Sequence, residues 1–387
     1  MQNRLRFLEF FAGGGMARAG LGSNWECVFA NDFDEMKAQV YRMNWGEGDL
    51  SCVDVATVLP MQVPTADLAW ASFPCQDLSL AGDYKGLGNG KGVGTRSGAF
   101  WPFWNIIRSM LEVGREPEVI VLENVFGALT ANQGRDFAAI SSSLSKAGYR
   151  FGAMVIDARL FVPQSRQRVF WIAVSKRSPA SAHFAKGKPN SVWHPPALVK
   201  AHSNLSASAK RQWVWWNVAA PPQRNTRFID LIEDKPTGVK WHTAAETKYL
   251  LGLMSEANLA KVEAAKASGK RMVGGLYRRT RPDENGKKRQ RAEVRFDDVS
   301  GCLRTPAGGS SRQTILLVEG KKVRSRLLSP REAARLMGLD DSYKLPAKYN
   351  DAYHVTGDGV VVPVVRHLAH HLIEPLLVPR VVAVAAE

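Results

Sequence analysis

The chain has 387 residues, 45% of them hydrophobic and 23% charged, a composition typical of a globular protein with one large or two smaller domains. No apolar run approaches the roughly 20 residues that span a bilayer, and the N-terminus passes straight into a strand-like run, so we expect no membrane span and no secretion. The four cysteines are far apart and form no CxxC pair, which argues against a disulfide framework or zinc site and fits a reducing, cytosolic setting.

The formal charge of +16 is the first indication of a partner. Such an excess favours a polyanion, most often a nucleic acid, although a basic surface can also serve solubility alone. The distribution of the charge favours the nucleic acid, because Lys270–Arg295 holds ten Lys or Arg residues against three acids. We therefore interpret this segment as one that contacts phosphates.

The first predicted unit is a strand, Arg6–Ala12, followed by a glycine turn at Gly13–Gly15 and a helical stretch. Glycines let backbone N–H groups approach a ligand closely, so the turn is typical of a nucleotide cradle. A second strand, Glu26–Ala30, leads to Asp32, close to the offset at which a carboxylate binds ribose hydroxyls, and to Phe33, which is suited to stack on an adenine. The turn is not GxGxxG, which disfavours a nicotinamide dinucleotide but leaves adenosine open.

A third strand, Leu68–Ala71, is apolar throughout and ends before Pro74, which lacks a backbone donor. Cys75 then lies just past the carboxyl end of a strand, where open α/β sheets bind ligands. A thiol there is a nucleophile if its pKa is lowered, and a small buried hydrophobe otherwise. Asp54 and Val55 lie upstream of this strand, at a place where the Asp54 carboxylate would be able to contact the exocyclic amine of a bound base.

The stretch 83–98 contains six glycines together with Lys85, Lys91 and Arg96. Such a loop after a candidate nucleophile favours closure over a substrate, the alternative being a simple connector. Glu123 follows the strand Glu118–Leu122, so it shares a sheet edge with Cys75. The further strands and helices predicted for this alternating region are Phe100–Val113, Ala131–Ala147, Phe151–Asp157 and Val169–Val174. The alternation predicts a doubly wound, mostly parallel, Rossmann-like sheet.

Residues 176–205 show little periodicity and predict a linker, and the region beyond it, with Gln212–Trp216, predicts a smaller irregular domain that reads nucleic acid. Arg166 and Arg168 stand at alternate positions and would share one face of an extended segment. Pro330 predicts the first turn of a helix that ends at Gly338. An apolar helix over Val360–Leu377 is expected to pack in the core.

With these residues in view, the chain resembles the DNA (cytosine-5) methyltransferase family of prokaryotic restriction–modification type, over nearly everything except about 178–323. Each motif alone is weak, but together, in the family's order, they are very specific. They are FLEFFAGGG at Phe7–Gly15, NDF at Asn31–Phe33, FPCQDLS at Phe73–Ser79, ENV at Glu123–Val125, QSRQR at Gln164–Arg168, RLLSPREAARLMGL at Arg326–Leu339 and GDGVVVP at Gly357–Pro363.

The resemblance implies the catalytic roles. Cys75 would attack C6 of a flipped-out cytosine, and C5 would then take the methyl group of S-adenosylmethionine. Glu123 would bind N3, while Arg168, and with it Arg166, would hold the O2 side of the ring.

The implied donor pocket and DNA contacts follow from the same motifs. In the donor pocket Asp358-Gly359 departs from the family's more usual Asn-Ser, which puts donor affinity in question. The donor residues would be Phe11, Ala12, Gly13, Gly15, Asp32, Phe33, Asp54, Val55, Pro74, Ala99, Asp358 and Val360. The DNA-binding residues would be Gln76, Ser79, Lys85, Lys91, Arg96, Arg278, Arg279 and Arg312.

The resemblance also implies a discontinuous catalytic domain, 1–178 plus 345–387, and a target-recognition domain at 179–344. The partner would be double-stranded DNA, with a cognate restriction endonuclease in the same system or none for an orphan enzyme. We expect a monomer with no metal and no membrane contact. We expect its location to be the cytoplasm, in association with the nucleoid, if the source is prokaryotic, the alternative being a viral source. The alternatives are an RNA cytosine methyltransferase of the same fold and a catalytically idle DNA-binding protein. The glycine turn is not GxGxxG, which argues against a nicotinamide oxidoreductase.

Overall fold

The computed structural model describes residues 4–74, 96–176, 185–282, 286–305 and 312–377. These residues form two compact units, and the larger one is discontinuous in sequence. The larger unit takes the described residues within 1–157, 167–222 and 360–387, and the smaller unit takes those within 158–166 and 223–359.

A seven-stranded sheet forms the centre of the larger unit. Its strands are β1 (Leu5–Phe10), β2 (Trp25–Asn31), β3 (Leu50–Ser51), β4 (Leu68–Ala71), β5 (Val119–Val125), β6 (Tyr149–Asp157) and β7 (Gln167–Ser175). Their order is β3-β2-β1-β4-β5-β7-β6, with β7 antiparallel to both of its neighbours and the other pairings parallel. The chain leaves β1 on one side toward β2 and returns on the other as β4, so the predicted doubly wound, mostly parallel fold is confirmed.

Helices on this sheet bury apolar stripes, as the sequence predicts. Every residue of β4 is buried, as expected for a parallel strand covered on both faces. Phe100, Phe103 and Ile107, at helical spacing, line the buried side of the third helix. The helices of this part of the chain are α1 (Met16–Leu21), α2 (Glu35–Trp45), α3 (Phe100–Glu112) and α4 (Arg135–Lys146).

Residues 185–222 belong to the larger unit, which corrects the predicted linker and the predicted start of the smaller domain. They form β8 (Ala185–Lys186), α5 (Pro196–Ser203), α6 (Ala207–Gln212) and β9 (Trp215–Trp216). One tryptophan fixes this segment on the sheet, because the indole of Trp216 donates to the carbonyl of Ile172 in β7 at 3.1 Å. Another joins two parts of the segment itself, because the indole of Trp193 donates to the carbonyl of Val218 at 2.7 Å.

His194 lies inside this tryptophan-rich segment and predicts an acid-sensitive stability. Its ring is buried against Trp215, and burial lowers its pKa to about 4. The unfolded chain therefore binds a proton at His194 more tightly than the folded protein does. Above pH 6.5 this difference does not affect the free energy of unfolding, and as the pH falls from 6.5 toward 4 it lowers that free energy. We expect His194→Asn, in which the side-chain oxygen replaces Nδ1 as acceptor for Asn190, to lessen this acid loss, by on the order of 2–3 kcal/mol at pH 4.

The check is the free energy of unfolding of both proteins from pH 7 to pH 4, by urea titration. His370→Asn is the matched control, because His370 is exposed and pairs with Glu374 at 3.1 Å. Parallel pH profiles for wild type and His194→Asn would contradict the prediction.

The smaller unit contains a four-stranded antiparallel sheet, so it is more regular than the sequence predicts. Its strands are β10 (Arg271–Pro282), β11 (Lys288–Arg295), β12 (Thr314–Glu319) and β13 (Lys322–Leu327), in the order β11-β10-β12-β13. Its helices are α7 (Ala244–Gly252), α8 (Glu256–Ala267), α9 (Pro330–Leu336) and α10 (Tyr349–Asp358). The first turn of α9 has Pro330 as predicted, with a capping box of Ser329 and Glu332.

The C-terminal segment of the larger unit is α11 (Val362–Leu368), a π-helical turn at Ala369–Ile373, and α12 (Glu374–Leu377). Val364, Val365 and Leu368 are buried, so the predicted core role of this apolar segment is confirmed. By length and composition Tyr349–Leu377 is the one candidate membrane span among the described residues, and 61% of its apolar window is buried within the protein.

Candidate active site

A side-chain hydrogen bond joins the segments that follow β4 and β5 at their carboxyl ends. The two strands pair in parallel, with Ala71 opposite Leu122. Beyond them, the side-chain amide of Asn124 donates to the carbonyl of Phe73 at 3.1 Å, and both residues are buried. This bond fixes the chain that leads into Pro74. Cys75 itself lies outside the described residues.

Glu123 and Arg168 face each other across β5 and β7. The antiparallel register sets Val125 opposite Arg168, so Arg168 Nε reaches Glu123 Oε1 at 3.1 Å. Both side chains are mostly buried, with 7% of Glu123 and 15% of Arg168 exposed. A buried ion pair holds its two partners in one orientation, because each charge loses water on burial and depends on the other.

Arg166 is directed elsewhere. Its guanidinium donates to the carbonyls of Leu303, Gly357 and Gly359 at 2.8–2.9 Å, all within the smaller unit. The predicted shared face with Arg168 requires both residues on one strand, whereas β7 begins only at Gln167. This geometry favours a positioning role for Arg166 on the Gly357–Gly359 turn over the predicted contact with the ring.

The glycine turn after β1 is built from left-handed backbone. Phe11, Gly13 and Gly15 have φ values of 58°, 55° and 77°. A Cβ on Gly15 would lie 2.3 Å from the indole nitrogen of Trp45, which itself donates to Gly14 at 3.0 Å. A Cβ on Gly13 would meet nothing within 4 Å, so the backbone there has open space beside it.

Asp32 connects this turn to the end of β2. Its two carboxylate oxygens accept the backbone N–H groups of Gly13 at 2.8 Å and Asp34 at 2.9 Å. Each oxygen retains a further acceptor position, as a ribose diol requires. Burial raises the pKa of Asp32, and the nearby Lys37 opposes that rise. The adjacent Phe33 ring is 69% exposed, which is unusual for a large apolar side chain and suits stacking.

The other predicted donor residues are placed as follows. Asp54 caps the short helical turn Val55–Thr57 through Ala56 N–H at 2.9 Å, and Val55 is buried. Ala12 N–H donates to Asn31 at 2.9 Å, and Ala99 packs against the core of the larger unit. Val360 is buried in the larger unit, whereas Asp358 belongs to the smaller one and pairs with His354 at 3.2 Å.

The predicted DNA-binding residues are only partly described. Gln76, Ser79, Lys85 and Lys91 lie outside the described residues, and Arg96 begins a short helical turn, Arg96–Ala99. Arg278 and Arg279 are consecutive and exposed on β10. The guanidinium of Arg312 lies 5.6 Å over the ring of Tyr349.

Two supporting residues were not singled out from the sequence. Asn124 was quoted only as part of a motif, yet it joins the two strand ends. Glu9 lies in β1, is 2% exposed, and burial raises its pKa to about 8. The available signal for Glu9 was a carboxylate inside an otherwise apolar strand.

This fold and these strand-end side chains define an α/β enzyme of the methyltransferase class. The chain matches the C-5 cytosine-specific DNA methylase family over residues 5–374. The chain therefore belongs to this family, and it is a DNA cytosine-5 methyltransferase.

Curated relatives are similar in sequence along nearly the whole chain, and solved structures are similar in fold. The chain is 26% identical to the type II methyltransferase M.HhaI of Haemophilus parahaemolyticus, over 95% of this chain and 94% of that protein. It is also 26% identical to M.NlaX of Neisseria lactamica, over 95% and 96%. Its fold is similar to the S. pombe Dnmt2 methyltransferase, with TM-score 0.58, 19% identity and coverage of 96% and 99%. The Entamoeba histolytica methyltransferase EhMeth gives TM-score 0.60 at 12% identity, covering 97% and 98%.

Proposed function

We propose that the chain transfers a methyl group from S-adenosylmethionine to C5 of a flipped-out cytosine in duplex DNA, through a covalent bond between Cys75 and C6. The Glu123–Arg168 pair is the observation that carries this proposal, because it is a buried, oriented acid at the same sheet edge as the segment that leads to Cys75.

In the proposed reaction the Cys75 thiolate forms a bond to C6, and the electron pair of the C5–C6 double bond becomes available at C5. Glu123 binds N3 and supplies a hydrogen bond or proton there, which stabilises the charge that the addition creates. Arg168 holds Glu123 in place, and in this proposal it also binds O2 of the same ring. After C5 has been methylated, loss of the C5 proton expels Cys75 and restores the ring.

The residues present fit the proposed donor. Open space beside Gly13, acceptor positions on Asp32 and the exposed ring of Phe33 match a backbone, a ribose and an adenine contact. When bound, S-adenosylmethionine supplies an electrophilic methyl group. The residues of the pocket bind and orient that donor, and Trp45 keeps the turn closed from behind through its bond to Gly14.

The smaller unit is the proposed target-recognition domain, because it carries the basic segment and the antiparallel sheet. Side chains from such a domain read base edges, while its arginines and lysines contact phosphates. By similarity to the proteins named type II methyltransferases, we infer a role in restriction–modification or orphan modification. We further propose, as the sequence led us to expect, that the protein acts in the cytoplasm as a monomer without a stable endonuclease complex.

The deciding experiment is methyl transfer from labelled S-adenosylmethionine to mixed-sequence duplex DNA, with transfer RNA alongside, followed by base-resolution mapping of 5-methylcytosine. We expect label on duplex DNA at one short recurring sequence and background on RNA. Label on RNA with background on DNA would reject the proposed substrate.

Asp358 provides a separate test of the donor pocket. It stands where the family more often has Asn and already pairs with His354. Since this pair holds the carboxylate on its own helix, we expect Asp358→Asn to change the rate of methyl transfer by less than about tenfold, equivalent to 1.4 kcal/mol. A larger loss in single-turnover transfer, at saturating donor, would show that the carboxylate acts on the donor.

A further inference from the structure

The segment 300–305 of the smaller unit is held in place by the residues that precede β7. Gln164 and Ser300 form a parallel bridge. The backbone N–H of Ser165 donates to the carbonyl of Ser300 at 2.9 Å, and the N–H of Ser300 donates to the carbonyl of Pro163 at 2.8 Å. The start of the segment is therefore fixed by two backbone hydrogen bonds to the QSRQR motif and the residue before it.

Buried side chains of the same motif bind both polar backbone groups of Leu303. Its N–H donates to Oε1 of Gln164 at 3.2 Å, and its carbonyl accepts a hydrogen bond from the guanidinium of Arg166 at 2.9 Å. Gln164 and Arg166 are 0% and 2% exposed, and Leu303 is itself buried. The residue that precedes Arg304 is therefore fixed by its side chain and by both of its backbone polar groups.

The backbone of Arg304 is also packed closely against Gly357 in α10. A Cβ on Gly357 would lie 3.0 Å from the carbonyl carbon of Arg304 and 3.0 Å from the backbone nitrogen of Thr305, which is tighter than an ordinary van der Waals contact. A glycine at this position lets the two backbones approach each other. Arg304 therefore has little freedom in its main chain.

The side chain of Arg304, in contrast, is exposed, and among the described residues it has no ion-pair or hydrogen-bond partner. An arginine that served solubility alone would need no fixed backbone, and burying an amide and a guanidinium beneath it costs free energy. A side chain that reads a base edge does need such support, because its reach and direction decide which base it accepts. The arrangement therefore favours recognition over solubility.

We propose that Arg304 is a specificity-determining residue, which reads a guanine of the recognised sequence outside the target base pair. A guanidinium donates two parallel hydrogen bonds to N7 and O6 of guanine in the major groove, and this is the commonest specific contact between a side chain and a base. The inference rests on the proposed duplex DNA substrate and deepens it, because it assigns one base pair of the recognised sequence to one side chain.

The test begins with base-resolution mapping of the sequence that the wild type methylates. The second-order rate constant for methyl transfer is then measured on that duplex and on duplexes in which each base pair except the target pair is replaced in turn. The variants are R304Q, which removes the charge, and R304K, which keeps it. The matched control is R211Q, which removes the same charge from an exposed position on α6 of the larger unit.

For R304Q we expect the preference for one G·C pair to fall about 10- to 100-fold, with discrimination at the other base pairs unchanged. R304K is expected to lose preference at the same pair, because an ammonium group does not reproduce the planar fork of a guanidinium. Since R304K keeps the charge, the salt dependence of its DNA binding should equal that of the wild type. R211Q should keep the wild-type selectivity.

Unchanged selectivity in R304Q or R304K would overturn the inference, and so would a recognised sequence without a G·C pair outside the target pair. A loss in R304Q that is equal for every duplex would assign Arg304 to a phosphate, with the same consequence. A melting temperature of R304Q clearly below that of R211Q would show that Arg304 supports the fold, and would also overturn the inference. A wild-type protein that methylates no duplex DNA would reject the proposed substrate itself, which distinguishes that failure from failure of Arg304 alone.

Discussion

Replacing Cys75 by alanine is expected to reduce methyl transfer to the level of an enzyme-free control, while binding of S-adenosylmethionine and of duplex DNA stays near wild type. Without a sulfur atom no bond to C6 forms, and C5 of cytosine is too weak a nucleophile to accept the methyl group. Two measurements check this expectation: incorporation of labelled methyl groups, and formation of a covalent adduct with DNA that contains 5-fluorocytosine.

Two of the three described cysteines provide the control. Burial raises the pKa of Cys27 to about 12, and burial together with Glu35 raises the pKa of Cys52, so both are held as thiols and are poor nucleophiles. Cys52→Ala should therefore retain methyl transfer and adduct formation in full. Adduct formation by Cys75→Ala would exclude Cys75 as the nucleophile, and its loss in Cys52→Ala would contradict the expectation that Cys52 takes no part.

Replacing Glu123 by glutamine is expected to lower the rate of methyl transfer by about 10²–10⁴-fold, the usual contribution of a general acid. The amide has nearly the same size, but it has no proton to give to N3 and no charge for Arg168. The effect belongs to the turnover rate, because the donor pocket is built from other residues, so the dissociation constant of S-adenosylmethionine should remain unchanged.

Glu118 is the matched control for this substitution, since it precedes the amino end of the same strand, β5. Glu118→Gln should transfer methyl groups at the wild-type rate. Equal losses in the two variants, or a loss in Glu123→Gln that follows a lower melting temperature, would indicate that Glu123 supports the sheet instead of the reaction.

The sheet and its strand ends were predictable because the signals are local. β4 is a short, continuous apolar run, and β5 begins with one, Val119–Leu122, which Glu123 directly follows. Residues 185–222 carry no comparable signal. Trp216 is fixed by a carbonyl 44 residues earlier in the chain, and a contact at such a distance leaves no period in the sequence.

The two arginines of the QSRQR motif show a second limit of sequence interpretation. Alternate positions share a face only within one regular strand, and the strand begins between them, at Gln167. Arg168 therefore reaches Glu123 while Arg166 binds carbonyls of the smaller unit. Arg278 and Arg279 both lie inside β10, so the rule of alternation holds there and places these consecutive residues on opposite faces of the strand.

The discontinuity of the larger unit has a consequence for synthesis on the ribosome. α1 lies against α11, where a Cβ on Gly20 would approach that of Val365 to 2.3 Å, and the Trp25 indole donates to Glu374 at 2.9 Å across 349 residues of sequence. The core of the larger unit therefore cannot be completed until the C-terminal helices have been translated, although its first strand is synthesised at the start. The described strands of the smaller unit are all translated before residue 360. We therefore expect a nascent chain that is truncated before residue 360 to leave the apolar side of α1 exposed to chaperones and proteases.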